Sequence, residues 1–169
     1  MTIKLHDTLQ GRKVPFEPLK AGEVTMYLCG PTVYNYAHIG NARPAVVFDL
    51  LHRLLQLSYP EVVYARNITD IEDKIIKASL ETGEPIEAIT KKFAAIYNED
   101  VVALNVIPPS VEPWATGHVD EMIEMIGKLV RKGYAYAGKE GVWFSVTSMS
   151  DYGKLSGRKL EDNEAGARV

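Results

Sequence analysis

Cysteine is almost absent. Cys29 is the only one in 169 residues, so no disulfide can form within the chain, a pattern that fits a reducing compartment. Long apolar runs are missing as well: none approaches the roughly 18 residues that span a bilayer. The first residues, MTIKLHDTLQGRK, are polar and hold no signal-peptide core. Positive charge is not in excess either. The formal net charge of -3 argues against a bulk nucleic-acid binder, since such domains are usually basic, while leaving room for RNA contacts made by another part of a longer protein. Neither an internal repeat nor a low-complexity tract is found. These absences predict a soluble, cytoplasmic protein with no membrane partner. At 46% hydrophobic, the chain has enough apolar surface to bury a core, as one domain or two small ones.

The most informative stretch present runs from Met26 to Arg43. Val24–Leu28 is short, apolar and β-prone, which predicts a buried strand. Gly30 and Pro31 end it, and a polar loop leads to His38-Ile39-Gly40-Asn41, where an apolar helical pattern begins. A strand, a loop and a helix start in this order make a place to hold phosphate, because helix N-terminal amides point outward and the dipole adds about half a positive charge. Gly40 removes a side chain where a flat ligand would lie against the backbone. Cys29 ends the strand beside this pocket. The helix is expected over Ala42–Leu57, with Asn41 as its N-cap and Pro44 in its first turn. Val46, Leu50, Leu54 and Leu57 share one side, expected to face the core; Asp49, His52, Arg53 and Gln56 form the other.

Val62–Arg66 predicts a second strand, and Asn67-Ile-Thr-Asp-Ile-Glu-Asp-Lys74 follows it. Thr69 and Glu72 have capping-box spacing, so a second helix is expected to start there and run toward Gly83. Strand, helix and strand in about 45 residues describe a parallel crossover, half of a nucleotide-binding Rossmann fold with its ligand at the carboxyl ends of the strands. The fold class is therefore α/β, with residues 1–83 as the first half of a Rossmann-type domain. Residues 3–20 would be an arm over the sheet edge, with a short strand near Ile3–Leu5. From Glu84 the texture changes. Ile86, Ile89, Phe93 and Ile96 set an amphipathic helix ending near Asn105, and Pro108, Pro109 and Pro113 suggest a rigid linker. His118–Lys132 is a further helix closed by Gly133. Tyr134–Ala137 and Val142–Val146 flank residues 138–141 as a hairpin. Residues 84–169 are thus expected to form a separate helical and hairpin region, polar and without a clear element after residue 147.

Several residues have two readings. A lone cysteine is ordinarily a small buried apolar residue, but the position of Cys29 at a strand's carboxyl end beside the phosphate-binding turn argues for a functional role. Thr69 is explained by the capping box alone. Asp70, Glu72 and Asp73 resemble a carboxylate cluster for metal, but a helix N-terminus attracts acids anyway, and that reading is preferred. His6, His52 and His118 lack partners at ligand spacing and are assigned to the surface or to caps. Trp114, Trp143 and the tyrosines are assigned to packing. Arg43 and Arg66 are candidates for phosphate contact or for ordinary salt bridges.

The text Cys29-Gly-Pro-Thr-Val-Tyr-Asn-Tyr-Ala-His-Ile-Gly-Asn41 resembles the first signature of class I aminoacyl-tRNA synthetases, and within them the cysteinyl-tRNA synthetase family. Further landmarks follow in order: Arg66-Asn-Ile-Thr-Asp-Ile-Glu-Asp-Lys-Ile-Ile76, Gly133-Tyr-Ala-Tyr136, Tyr152-Gly-Lys-Leu-Ser156 and Ala165-Gly-Ala-Arg-Val169. The resemblance implies ATP-dependent activation of cysteine and its transfer to tRNA(Cys), with ATP and Mg, cysteine and the tRNA as partners, in a monomer. It implies that His38, Gly40 and Asn41 bind ATP, that His38 and Asn41 stabilise charge during adenylation, and that Gly30, Thr32 and Thr69 line the amino-acid pocket. Asn41 stands where the family usually has histidine. The resemblance also makes Cys29 a zinc ligand, the other ligands lying beyond residue 169. No Lys-Met-Ser-Lys-Ser-type loop, second Rossmann half or anticodon-binding domain is present. The chain is accordingly expected to be an N-terminal piece, inactive alone, that ends within the connective insertion. Two alternatives stay open: a paralogous ligase joining cysteine to an amino-sugar in mycothiol synthesis, and a non-catalytic nucleotide- or protein-binding module.

Overall fold

The computed structural model describes residues 2–157. They fall into two compact units. One is Pro18–Val119; the other gathers the chain up to Glu17 and from Asp120 onward. In the second unit, β1 (Lys4–Asp7) and β2 (Arg12–Pro15) pair antiparallel, so the expected single-strand arm is a hairpin paired with itself.

The Pro18–Val119 unit is built on β3 (Glu23–Leu28), α1 (Ile39–Gln56) and β4 (Glu61–Arg66). The strands pair parallel, from Glu23 opposite Glu61 to Leu28 opposite Arg66, and the helix between them is the crossover that parallel pairing requires. The α/β class with parallel strands is therefore observed. Pairing continues past both strand ends, where Thr32 bridges Thr69 and the Val33 amide donates to the Thr69 carbonyl at 3.2 Å.

The other edge of β4 is occupied by the stretch expected to be a linker. Val111 bridges Ala65 and Trp114 bridges Ile68, both parallel. The Arg66 amide donates to the Val111 carbonyl at 3.0 Å, and the Ile68 amide to the Pro113 carbonyl at 2.9 Å. Proline lacks an N–H, yet its carbonyl still serves a ladder from an outer position. The prolines thus stiffen a third extended segment of the sheet. Helices α2 (Asp73–Thr82) and α3 (Ile86–Ala103) complete the unit. Helix α3 packs on both α1 and α2, so it sits with the first strand-helix-strand rather than in a region beginning at residue 84. Val33, Ala45, Ile68, Ala94, Tyr97, Val101 and Val106 form the core, with Phe93 and Trp114 packed against it.

Helix α1 departs from expectation in start and orientation. It begins at Ile39, and its N-cap is His38 rather than Asn41. Pro44 consequently lies beyond the first turn, where it deprives the Gly40 carbonyl of its helical donor. The buried residues are Ala45, Asp49, His52 and Leu55, while Leu50 is 69% and Leu57 86% exposed and Val46 and Leu54 are also exposed. The reason is hydrogen bonding. Asp49 Oδ1 accepts from the Ile107 amide at 2.9 Å and Oδ2 from Arg53 Nε at 2.8 Å, and Arg53 Nη2 reaches the Asn105 carbonyl at 2.7 Å. Asp49 and His52 are turned inward while Gln56 stays exposed, and Asp49 with Arg53 holds the 105–107 turn, a role that hydrophobic periodicity does not encode.

Helix α2 begins at Asp73, capped by Glu72, whose Oε2 accepts from the Lys74 amide at 3.1 Å. Gly83, at φ 73, ends it in the left-handed conformation. The unit that includes Asp120 onward contains α4 (Val119–Arg131), which follows a 3-10 turn at Ala115–His118, and the antiparallel hairpin of β5 (Ala135–Ala137) and β6 (Val142–Phe144). The Gly138 amide closes the hairpin loop on the Gly141 carbonyl at 2.7 Å, as the four-residue spacing predicts. A 3-10 turn at Val146–Ser148 follows; the Ala165–Val169 landmark lies outside the described residues. Among the described residues, no helix is long and apolar enough to cross a membrane.

Candidate functional site

The carboxyl ends of β3 and β4 are tied together by Asn67. Its Oδ1 accepts from the Gly30 amide at 2.9 Å, and its Nδ2 donates to Thr69 Oγ1 at 3.1 Å. A Cβ on residue 30 would lie 1.6 Å from the Asn67 carbonyl oxygen, a distance no atom pair tolerates, so glycine is required there by backbone against backbone. Thr69 does not cap α2, whose cap is Glu72. Thr69 is the partner of Asn67 and, through the backbone, of Thr32. The expected grouping of Gly30, Thr32 and Thr69 is thus present as a local cluster, held by hydrogen bonds between the two strand ends.

The helix start is a capping box. His38 Nδ1 accepts from the Gly40 amide at 3.0 Å, and Asn41 Oδ1 accepts from the His38 amide at 3.1 Å. An accepting Nδ1 places the proton of the neutral ring on Nε2, which is left to donate outward. A Cβ at residue 40 would sit 2.7 Å from His38 Cε1 and 2.9 Å from Nδ1, so a larger residue would displace the His38 ring from its capping position. With the Gly40 amide taken by the cap, the helix start offers fewer free amides to an anion than a bare N-terminus. The donors toward the cleft come instead from side chains.

That cleft encloses about 210 Å³ and is lined by Thr32, Tyr34, His38, Asn41, Lys74 and Tyr97, among others. Thr32, His38 and Asn41 are therefore brought together. Cys29, Gly30, Gly40 and Thr69 are adjacent in chain or sheet but are not among its lining residues. Lys74 was not singled out from the sequence. Its signal was its place at the end of the Asn67–Lys74 run, immediately inside the acid-capped start of α2. Its Nζ stands 5.8 Å from the Tyr34 ring centroid, a distance at which an ammonium is attracted to the ring face.

Cys29 lies one residue beyond β3 and is exposed, not buried as an apolar filler would be. One thiol supplies one of the four donors that zinc takes. Among the described residues, no three His, Cys, Asp or Glu side chains come together as a metal site. The acidic run is structural. Asp70 is buried and accepts from the Thr116 amide at 2.9 Å and from the Thr116 hydroxyl, so it anchors the turn before α4. Glu72 caps α2, and Asp73 lies in its first turn.

The assignment of His52 to the surface or a cap is overturned, and Arg66, a candidate for phosphate contact or a salt bridge, is interior. His52 is 2% exposed, with neither ring nitrogen hydrogen-bonded and its ring 5.0 Å from that of Tyr64. Burial lowers its pKa, the Asp49 carboxylate opposing and Arg53 reinforcing. Arg66 is 1% exposed, its guanidinium carbon 5.3 Å from the Tyr97 ring centroid, so it stiffens the floor behind the cleft and is withdrawn from solution. Burial raises the Tyr97 phenol, and the nearby Arg66 charge opposes that rise.

A family model for the class I (C) tRNA synthetase catalytic domain matches residues 15–169. Curated relatives called cysteine–tRNA ligase include one from Hyphomonas neptunium at 70% identity, one from Saccharophagus degradans at 55% and one from Paramagnetospirillum magneticum at 54%. Each alignment covers 100% of this chain and 37% of the relative, so the chain spans a little over a third of the length of these proteins. Among solved structures, a protein described as an arginyl t-RNA synthetase from Campylobacter jejuni superposes with a TM-score of 0.58 at 14% identity, over 80% of this chain and 40% of that one. At that identity the likeness speaks for the fold alone. The parallel strands joined by α1, the capped helix start above the cleft and the family match lead to one conclusion: this chain belongs to the class I (C) tRNA synthetase catalytic domain family.

Proposed function

We propose that the chain is the ATP- and amino-acid-binding part of a cysteine–tRNA ligase that works in the cytoplasm as a monomer. In the first step a carboxylate oxygen of cysteine bonds to the α-phosphorus of Mg-bound ATP as the bond to the β-phosphate bridge breaks, giving cysteinyl adenylate and pyrophosphate. In the second, a terminal ribose hydroxyl of tRNA(Cys) attacks the acyl carbon, and AMP leaves. The observation that carries the reading is the His38–Asn41 capping box set over a cleft that also holds Thr32. His38 Nε2–H and the Asn41 amide are the donors assigned to the phosphates, where they stabilise developing charge without covalent or proton-transfer chemistry. Gly40 leaves room for the adenosine side. Gly30, Thr32 and Thr69 receive the amino acid at the strand ends, as expected for the first half of a Rossmann-type fold. Cys29 is assigned as one zinc ligand, with the remaining donors outside this chain. Connective insertion begins, in this reading, at α4.

The test is a chimera in which this chain replaces the matching 37% of the Hyphomonas neptunium relative. Cysteine-dependent ATP–pyrophosphate exchange and charging of tRNA(Cys) are both expected. A folded chimera lacking exchange, beside an active parent, overturns the proposal; exchange followed by transfer to an amino-sugar instead of tRNA replaces it.

A further inference from the structure

A cavity of about 280 Å³ lies between α3 and the 106–112 segment and shares no lining residue with the cleft under His38. Asn98 and Val101 of α3 line one side, Val106, Pro108 and Glu112 of the segment line the other, and Arg66, the last residue of β4, completes it. Its walls are held in place by the fold. The Arg66 amide donates to the Val111 carbonyl at 3.0 Å and the Val111 amide to the Tyr64 carbonyl at 3.1 Å, while Asp49 and Arg53 hold the turn that leads into the segment. The polar groups around it are not spent on one another. Arg66 is 1% exposed, yet its Nε and Nη1 have no hydrogen-bond partner among the described residues. The Tyr97 ring, 5.3 Å from the guanidinium carbon, offsets only part of what that charge loses on leaving water. Asn98 Oδ1 is buried without a partner as well, and Asn98 Nδ2 donates to Glu112 Oε1 at 3.4 Å.

Buried donors and acceptors call for partners, and here the donor is a cation and the acceptors are an amide oxygen and a carboxylate. A simple anion would be repelled by Glu112 and a simple cation by Arg66. A zwitterion meets neither conflict. Little of the Arg66 surface reaches the cavity, which suits one carboxylate oxygen rather than a larger anion. The remaining walls, Val101, Val106 and Pro108, are apolar and suit an aliphatic group. We propose that this cavity is a binding site for a free aliphatic α-amino acid: the carboxylate meets Arg66, the ammonium meets Glu112 and Asn98 Oδ1, and the side chain lies against the two valines and Pro108. The site is separate from the strand-end cluster of Gly30, Thr32 and Thr69, and the inference does not depend on the ligase reading.

The experiment is calorimetric titration of this chain with L-leucine, for which saturable binding is expected. The same molecule without its ammonium, 4-methylpentanoate, and without its carboxylate, 3-methylbutylamine, should each bind about tenfold or more weakly, the cost of losing a hydrogen bond to a charged group. Glu112→Gln should weaken leucine by about tenfold and leave 4-methylpentanoate unchanged or tighter, because the lost charge repels a lone carboxylate. Arg66→Met should abolish leucine binding. Because that change lies in the interior, Val102→Trp is the second variant: Val102 lines the cavity and is 54% exposed, so the indole fills the mouth from the surface, and binding should be lost with the melting temperature unchanged. Thr32→Ala, in the cleft, should bind leucine as the parent does. The proposal is overturned if leucine does not bind saturably, if either single-charge analogue binds as well as leucine, if Glu112→Gln and folded Val102→Trp bind like the parent, or if Thr32→Ala weakens leucine, which would put it in the cleft. Leucine binding with exchange absent from the chimera removes the ligase reading and leaves this site; exchange without leucine binding does the reverse.

Discussion

The chain passes from strand to helix twice in the same unit, and the two junctions are built on opposite chemistry. At the first, β3 leads to α1 through a neutral imidazole cap and an asparagine, with no acid in the first helical turn. At the second, β4 leads to α2 through a glutamate cap followed by Asp73. Both satisfy the first amides of a helix, but only the first leaves the positive end of the dipole uncancelled and its donors facing a cleft. The second has spent its dipole on its own carboxylates. In the reading proposed above, the first junction is the one of the two suited to an anion, and the acids that resemble a metal site account for the difference.

The largest expected effect comes from breaking the tie between the junctions. Gly30→Ala places a methyl on the Asn67 carbonyl, and neither backbone can retreat without opening the parallel pairing; about 3 kcal/mol or more of stability should be lost, read from the denaturant midpoint of the chain. A midpoint within experimental error of the parent would mean that the strand ends are free to separate.

Next comes the difference between the caps themselves. In the chimera, His38→Ala should slow adenylate formation by about 2–4 kcal/mol of barrier, the range for losing one donor to a developing oxyanion, with little change in ATP affinity. Glu72→Ala should leave that rate alone and cost about 1 kcal/mol of stability, as caps do. Asn41→Ala should resemble a weaker His38→Ala and also lose about 1 kcal/mol of stability, because its carbonyl completes the box. Equal losses of rate at His38 and Glu72 would erase the distinction.

A smaller contrast lies within α1, between His38 at its exposed start and His52 in its buried face. The folded-state pKa of His52 is below the ordinary 6.5, so the unfolded chain takes up the proton first. Stability is then full above about pH 6.5 and falls as the pH drops below it, until the folded ring also protonates. Tyr64, Asp49 and Arg53 are the groups around it. Chemical denaturation between pH 7.5 and 5 should show this slope, and His52→Phe should reduce it; an unchanged slope would mean that other groups carry it. The smallest effect is expected at Cys29. Being exposed, Cys29→Ser should not move the melting temperature of the chain, and elemental analysis should find no stoichiometric zinc in either form.

What was legible in the sequence was whatever neighbours along the chain determine. The β-prone runs, the helix stops at Gly83 and Gly133, and the four-residue hairpin loop follow from backbone preferences that act within a few residues. The cleft-facing Thr32, His38 and Asn41 were legible because one short stretch carries them all. Thr69 was harder: its spacing to Glu72 fits a capping box, but the hydrogen bond from neighbouring Asn67 and the cross-strand pairing with Thr32, distant in sequence, won.

By itself, then, the sequence determined the local parts: two strands with a helix between them, and a polar, glycine-containing turn at the helix start; that His38 rather than Asn41 caps the helix and that Gly30 meets the Asn67 backbone came from the structure. Only the tertiary structure decided which side of α1 faces inward, that the prolines after α3 extend the sheet, that Lys74 joins the cleft, and that Arg66 and His52 are interior. The reason is range. Propensity and capping act over one turn, whereas the inward face of α1 was chosen by carboxylate bonds from Asp49 to a loop 58 residues away, and the third line of the sheet by hydrogen bonds on the far edge of β4.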